Sequence, residues 1–334
     1  MTSKPIKMGI VGCGNSARNI HYPKLKDLRD QFEVVACYDV DSARANGIAE
    51  LYGACPYTDR SAFFNHSGLE LVLIATKPLD THAPLGIAAL EAGKHVVLEK
   101  PMCTSHEEGI RLMAAARKAG KILTVYHSRR WDPEFLELRW AMSRGYFGKI
   151  RMFETLVCSN LLYVEWIIDW GVHLIDHCLV VCGGKPVEVS CTVTFPDKAE
   201  TNGGPWTAWI RFDNGCIGVA SMKTGAGGSY PRFAVVGDQG GCAWPSAGAR
   251  WEAGKLKFDE KEVITDLPAI YCGKEKEPIK MGEVRIPFCA FYPNLYDVLT
   301  GKAELAVKPE EALLVIDVMQ ACLESVRKNK SILI

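Results

Sequence analysis

The chain has 334 residues, 48% of them hydrophobic and 23% charged, and its 39 acidic and 39 basic side chains leave a formal net charge of zero. That length predicts two domains, and the balanced charge, with no basic cluster, excludes nucleic acid and anionic membrane surfaces as expected partners. The 13 cysteines are scattered, odd in number and without a Cys-x-x-Cys pair, as expected of reduced thiols in a cytoplasmic protein. No apolar run approaches the roughly 20 residues that span a bilayer, and the amino terminus lacks a secretory pattern.

From residue 6 to about residue 126, short β-branched runs alternate with amphipathic stretches. Ile6–Val11, Glu33–Tyr38, Leu71–Ala75, His95–Leu98 and Ile122–Tyr126 read as strands. Asp41–Tyr52, Pro84–Ala92 and His106–Lys118 read as helices, with Gly93 and Gly120 placed to end two of them. Strands alternating with helices predict a Rossmann-type α/β domain on a parallel sheet, over residues 1–126. The remainder, 127–334, reads as an α+β domain with a large, mostly antiparallel open sheet. Its elements are a helix at Pro133–Arg144, a strand at Ile150–Val157, a helix through Asp169–Val181, strands across 187–260 and a helix at Pro309–Lys328. Turns are expected at Asp213-Asn214-Gly215 and at Gly240-Gly241.

Directly after the first strand, Gly12-Cys13-Gly14-Asn15-Ser16-Ala17 matches Gly-x-Gly-x-x-Gly/Ala. The first glycine makes the tight turn and the second admits a pyrophosphate, while the small Ala17 permits close helix–strand packing. The second strand ends at Asp39, at about the separation of ~20 residues expected of a ribose-binding carboxylate. That carboxylate would repel a 2′-phosphate, so NAD is expected rather than NADP, with Arg44 keeping the alternative open.

Two further segments look chemical. Glu99-Lys100-Pro101 follows a strand at the carboxyl edge of the sheet, where ligands of open α/β folds bind. Partial burial there would favour the neutral lysine as a proton partner, and Pro101 allows a cis bond. In Asp169-Trp170-Gly171-Val172-His173-Leu174-Ile175-Asp176-His177, helical spacing puts Asp169, His173 and His177 on one face, with Asp176 on a neighbouring row. An imidazole flanked by two carboxylates suits general acid–base work. Metal binding by Asp-x-x-x-His-x-x-x-His is the rival; no His-Glu-x-x-His arrangement accompanies it, and no metal is expected.

Taken together, these motifs resemble the Gfo/Idh/MocA oxidoreductases. The resemblance also includes Ala75-Thr76-Lys77-Pro78 with His82, the run from Ala89 to Val96, Arg129-Arg130-Trp131-Asp132-Pro133, and Phe291-Tyr292-x-Asn294-Leu295-Tyr296-Asp297. It implies Lys100, Asp169 and His173 as the catalytic trio. It implies cofactor contacts from Gly12, Cys13, Gly14, Asn15, Ser16 and Asp39, with Ala75, Thr76, Pro78, His82, Glu99 and Lys100 along the nicotinamide side. Arg130 and Tyr292 become candidates for the substrate pocket. Relatives often carry a glycine pair before Asp-x-x-x-His, whereas this chain has Tyr163-Val164-Glu165-Trp166-Ile167-Ile168, which makes Tyr163 a candidate for an altered pocket wall.

The implied reaction is hydride transfer between NAD(H) and a secondary alcohol or ketone of a sugar, cyclitol or related polyol. Alternatives are an NAD-dependent glycosidase acting by transient oxidation and a non-catalytic NAD-sensing regulator. The open sheet face of the second domain calls for a partner, so a homodimer or homotetramer is expected.

Overall fold

A computed structural model describes residues 4–159, 166–193, 205–224, 231–245, 250–252, 255–257, 269–272, 279–280 and 290–334. The chain divides into two compact units, Met1–Ser128 with Cys289–Ile316, and Arg129–Phe288 with Asp317–Ile334. Residues 289–316 thus lie with the first unit, not with the second, where the sequence reading puts everything after 126.

The first unit opens with β1 (Ile6–Val11), a π-helical turn at Ala17–His21 and the short α1 (Tyr22–Leu25). It continues through β2 (Phe32–Tyr38), α2 (Ser42–Tyr52), β3 (Cys55–Tyr57), α3 (Arg60–Phe64), β4 (Leu71–Ile74), α4 (His82–Glu91), β5 (His95–Leu98), α5 (His106–Ala119) and β6 (Leu123–Val125). The strands form one parallel sheet ordered β3-β2-β1-β4-β5-β6, the doubly wound dinucleotide order. All four residues of β4 are buried, as a strand covered on both faces requires. The α5 ends are chemically specified. The Ser105 side chain caps Glu108 N–H, Glu107 and Glu108 occupy the first turn, Arg117 and Lys118 the last, and Gly120 closes it with φ +63°.

The second unit contains α6 (Pro133–Ser143), β7 (Ile150–Ser159), α7 (Trp166–Asp169), α8 (Gly171–Cys182), β8 (Pro186–Val193), β9 (Trp206–Phe212), β10 (Ile217–Thr224), β11 (Pro231–Gly237) and β12 (Gly240–Pro245). Short strands follow: β13 (Arg250–Glu252) and β14 (Lys255–Lys257) as a separate ribbon, then β15 (Ala269–Cys272) and β16 (Ile279–Lys280). α9 (Phe291–Leu299) lies in the first unit, α10 (Pro309–Lys328) supplies residues to both, and β17 (Ile332–Leu333) ends the chain.

Among the described residues a nine-stranded sheet runs β16-β15-β12-β11-β7-β10-β9-β8-β17. Its pairs are antiparallel except β7 with β10. The turn at Asp213–Gly215 joins β9 to β10 as expected, but Gly240-Gly241 belongs to β12, and the turn before it is Asp238-Gln239. The register sets Phe153, Ala208, Ile210, Ala220, Phe233 and Val235 on one buried face, against which α8 packs. The opposite face carries Trp209, Ile217 and Val236, which are exposed. Among the described residues, no helix is long and apolar enough to cross a membrane.

Candidate active site

In the first unit, β1 delivers the chain to Gly12, whose φ of +88° suits glycine and whose Cβ, if present, would lie 2.6 Å from the Ala75 carbonyl oxygen. Gly14 differs. A Cβ there meets nothing within 4 Å, so its missing side chain leaves the backbone open to a ligand. Ala17 is fully buried, as close helix packing demands. The cleft at this loop is lined by Cys13, Gly14, Asn15, Arg18, Asn19, Ala43 and Arg44. Two guanidinium groups beside a helix start suit the phosphates of a dinucleotide. Asp39 anchors the loop: its Oδ2 accepts Cys13 N–H at 2.8 Å and its Oδ1 accepts Asp41 N–H at 3.0 Å. Each carboxylate oxygen still has a second acceptor position for a ribose hydroxyl.

The loops after β4 and β5 end at the same sheet edge. Ala75 N–H donates to Val11 O at 2.8 Å, and the Lys77-Pro78 and Lys100-Pro101 peptides are both cis. The Thr81 hydroxyl donates to Pro78 O at 2.6 Å and lies 2.6 Å from the Thr76 hydroxyl. His82 corrects an expectation. It has no exposed surface, and its Nδ1 and Nε2 lie 2.8 and 3.1 Å from the carbonyl oxygens of Pro101 and Thr76. It ties the two loops together and does not present itself to a cofactor.

Glu99 is buried, with Oε1 at 2.9 Å from His21 Nε2 and Oε2 accepting the Lys100 N–H at 2.9 Å. Burial pushes its carboxyl up, but the His21 hydrogen bond, with Lys100 beside it, holds it below the usual carboxylate range. Lys100 is half-buried. Tyr292 is fully buried and places its hydroxyl 2.6 Å from His21 Nδ1; it belongs to this internal chain, which corrects its placement in the substrate pocket.

In the second unit the single helical face from Asp169 to His177 is interrupted. Asp169 ends α7 and is exposed, Trp170 turns the chain, and His173 lies in the first turn of α8, 8% exposed. The Trp170 ring meets His173 edge-on at 6.1 Å, and the Arg129 guanidinium lies over the Trp170 ring at 4.7 Å. The other two members of the motif serve the core. Asp176 receives Arg130 Nε and Nη2 at 2.9 and 2.6 Å in a buried bidentate pair, so Arg130 is committed to protein and its substrate-pocket placement is corrected. His177 is fully buried, stacks on Phe135 at 4.2 Å and has Nε2 at 3.2 Å from Arg129 O. Burial pushes its pKa down to about 4, which makes it a neutral packing residue near pH 7. A further buried cluster joins Asp132 to Arg129 at 3.0 Å and to Arg232, which also lies 3.6 Å from Glu134.

The structure therefore gathers the glycine loop, Asp39, Ala75–Pro78, Glu99 and Lys100 at one edge of the first unit's sheet. It keeps Asp169 and His173 on adjoining turns of the second. Tyr163 lies outside the described residues. Sequence reasoning missed His21, whose only signal was its place in the helix after the glycine loop, and Arg232, which carried none. Among the described residues no group of three or more His, Cys, Asp or Glu could hold a metal ion.

Comparison with known proteins decides the family. The model for the oxidoreductase family, NAD-binding Rossmann fold, GFO_IDH_MocA, matches residues 6–127, and that for the GFO/IDH/MocA C-terminal domain matches residues 135–243. The chain belongs to the Gfo/Idh/MocA oxidoreductases. It is 26% identical to scyllo-inositol 2-dehydrogenase (NADP(+)) IolW of Bacillus subtilis, across 98% of this chain and 96% of that protein. It is 27% identical to inositol 2-dehydrogenase of Corynebacterium glutamicum, across 79% and 81%. The solved structure of the Bacillus subtilis oxidoreductase YvaA superposes with a TM-score of 0.84 at 25% identity, covering 99% of this chain and all of that one. The chain is an oxidoreductase of this family, with an NAD-binding Rossmann domain.

Proposed function

We propose that this family member is an NAD-dependent dehydrogenase that reversibly oxidises a secondary alcohol of a sugar, cyclitol or related polyol. The observation that carries the reading is Lys100, its backbone N–H fixed by Glu99, at the same carboxyl sheet edge as an open glycine loop. The polyol class draws on the inositol dehydrogenases among the relatives.

The residues present fit a dinucleotide: Gly14 is open where a pyrophosphate must approach, and Arg18 and Arg44 line the adjoining cleft. The backbone from Gly12 to Ser16 would hold the phosphates, Asp39 the adenine ribose, and Ala75, Thr76 and Pro78 the nicotinamide side. Bound NAD supplies the hydride acceptor. His173 takes the proton of the substrate hydroxyl, Lys100 hydrogen-bonds the reacting oxygen, and Asp169 orients the substrate. Proton transfer by a positioned side chain contributes roughly 10²–10⁴-fold. Asp39 favours NAD over NADP because its carboxylate repels a 2′-phosphate.

Two supporting placements belong to the same proposal. The exposed Trp209, Ile217 and Val236 on one sheet face favour a homodimer or homotetramer. The free thiols among the described residues favour a reducing, cytoplasmic setting.

The test is a screen of inositols, sugars and sugar acids with NAD+ and NADP+, following formation of the reduced nicotinamide. Turnover of a polyol with NAD+ preferred is expected. Turnover with NADP+ preferred would overturn the cofactor assignment, and no turnover on any polyol would overturn the substrate class.

A further inference from the structure

Beneath the Glu99-Lys100 loop runs a buried polar chain whose members His21 and Tyr292 have no assigned part in cofactor binding or in proton transfer at His173. The π-helical turn at Ala17–His21 ends on a histidine with no exposed surface. Its Nε2 lies 2.9 Å from Glu99 Oε1, and its Nδ1 lies 2.6 Å from the hydroxyl of Tyr292, also fully buried. π-helical turns recur at functional sites because the wider turn redirects a side chain.

The donors and acceptors order themselves from one end. An ionised carboxylate only accepts, so His21 Nε2–H donates to Glu99 Oε1, while Glu99 Oε2 accepts from Lys100 N–H at 2.9 Å. In the neutral ring this leaves Nδ1 to accept from the Tyr292 hydroxyl. The other groups facing His21 are the Tyr126 ring, at 4.6 Å, and through its hydroxyl Lys24 Nζ at 2.7 Å. Burying three polar side chains is unfavourable unless every one is paired. This chain is paired from end to end, and it ends on the backbone of the lysine assigned to the reacting oxygen.

We infer that His21 and Tyr292 are positioning residues for Lys100, acting through Glu99: they hold the carboxylate that fixes the Lys100 backbone N–H and lies beside the lysine. The inference rests on the reading that Lys100 hydrogen-bonds the reacting oxygen. Burial alone pushes the Glu99 carboxyl up, and the His21 hydrogen bond opposes that. Remove His21, and the buried carboxylate loses the donor that favours its charged form. The charge interaction between Glu99 and Lys100 weakens with it.

The experiment compares pH profiles of kcat for wild type, His21→Leu, His21→Gln, Tyr292→Phe and Lys100→Met on the best polyol. NADH dissociation constants and melting temperatures are measured alongside. In His21→Leu the alkaline limb should move down by about one pH unit, with NADH affinity within about threefold of wild type, because one unit corresponds to a tenfold ratio of charge states. His21→Gln, whose amide can replace the donor to Glu99, should restore the limb. Tyr292→Phe should shift it in the same direction by less, and this one-oxygen deletion carries the test if His21→Leu does not fold. A lowered kcat with an unmoved limb, and no rescue by glutamine, would overturn the inference and leave a merely structural chain. Lys100→Met separates the two readings. If it abolishes turnover while the His21 and Tyr292 variants leave the limb in place, only this inference fails. If it retains turnover, the role of Lys100 fails as well.

Discussion

Replacing Asp176 by alanine should destabilise the second unit by about 3–5 kcal/mol, the loss typical of breaking a buried ion pair. The size follows from what is left behind. Arg130, with 5% of its side chain exposed, donates two hydrogen bonds to Asp176, whose own side chain is 1% exposed. A guanidinium cannot shed its charge, so in Asp176→Ala it stays buried and charged without these two acceptors. Arg130→Met should fall at the lower end, because an orphaned carboxylate can take up a proton. The double variant Arg130→Met/Asp176→Leu removes both charges and should lie within about 1 kcal/mol of wild type. Urea denaturation of the four proteins measures this, with the midpoint and slope both followed because two compact units need not unfold as one. Single losses below about 1 kcal/mol, as for exposed pairs, or a double loss equal to the sum of the singles, would refute the reasoning. The double variant also decides Arg130's role: KM should stay near wild type, and a rise beyond about tenfold would return Arg130 to the substrate pocket.

His177 gives a pH dependence with a definite sign. Its pKa is about 4 in the folded chain against an ordinary 6.5, so between those values the unfolded chain binds the extra proton and stability falls as pH drops through that window. The full effect is about 3 kcal/mol; His177→Phe, which keeps a ring against Phe135, should flatten the midpoint-versus-pH curve, and a curve parallel to wild type would contradict this. The two loop glycines should separate. Gly12→Ala, strained and against the Ala75 carbonyl, should lower stability by about 1 kcal/mol or more, whereas Gly14→Ala should melt like wild type and lose NAD(H) affinity in a fluorescence titration. Equal melting of the two variants would contradict the assignment of Gly12 to folding and Gly14 to the ligand.

The parallel sheet was legible because its strands are short, apolar and punctuated. Ile6–Val11 and His95–Leu98 fall where periodicity puts them, and so does the helix at Pro309–Lys328. What escaped depends on contacts distant in sequence. β3 at Cys55–Tyr57 is exposed or half-buried and carries a proline, so no apolar alternation marks it. The return of 289–316 to the first unit depends on contacts such as Thr124 Oγ1 with Val307 O at 2.9 Å, made across 183 residues. Motif spacing put the glycine loop, Asp39, Glu99 and Lys100 at strand ends, and the structure has them there. Spacing misled over Asp176 and His177, since a helix buried on nearly every side spends its polar residues on neighbours. His21 was invisible because its partners Glu99 and Tyr292 are 78 and 271 residues away.

The most direct test of the proposed chemistry is His173→Ala, assayed for NADH binding and for oxidation of the best polyol in the same preparation. NADH affinity should stay near wild type while turnover falls by roughly 10²–10⁴-fold, the share a positioned proton acceptor supplies. Turnover near wild type in a folded variant would contradict the assignment of His173 as the proton carrier.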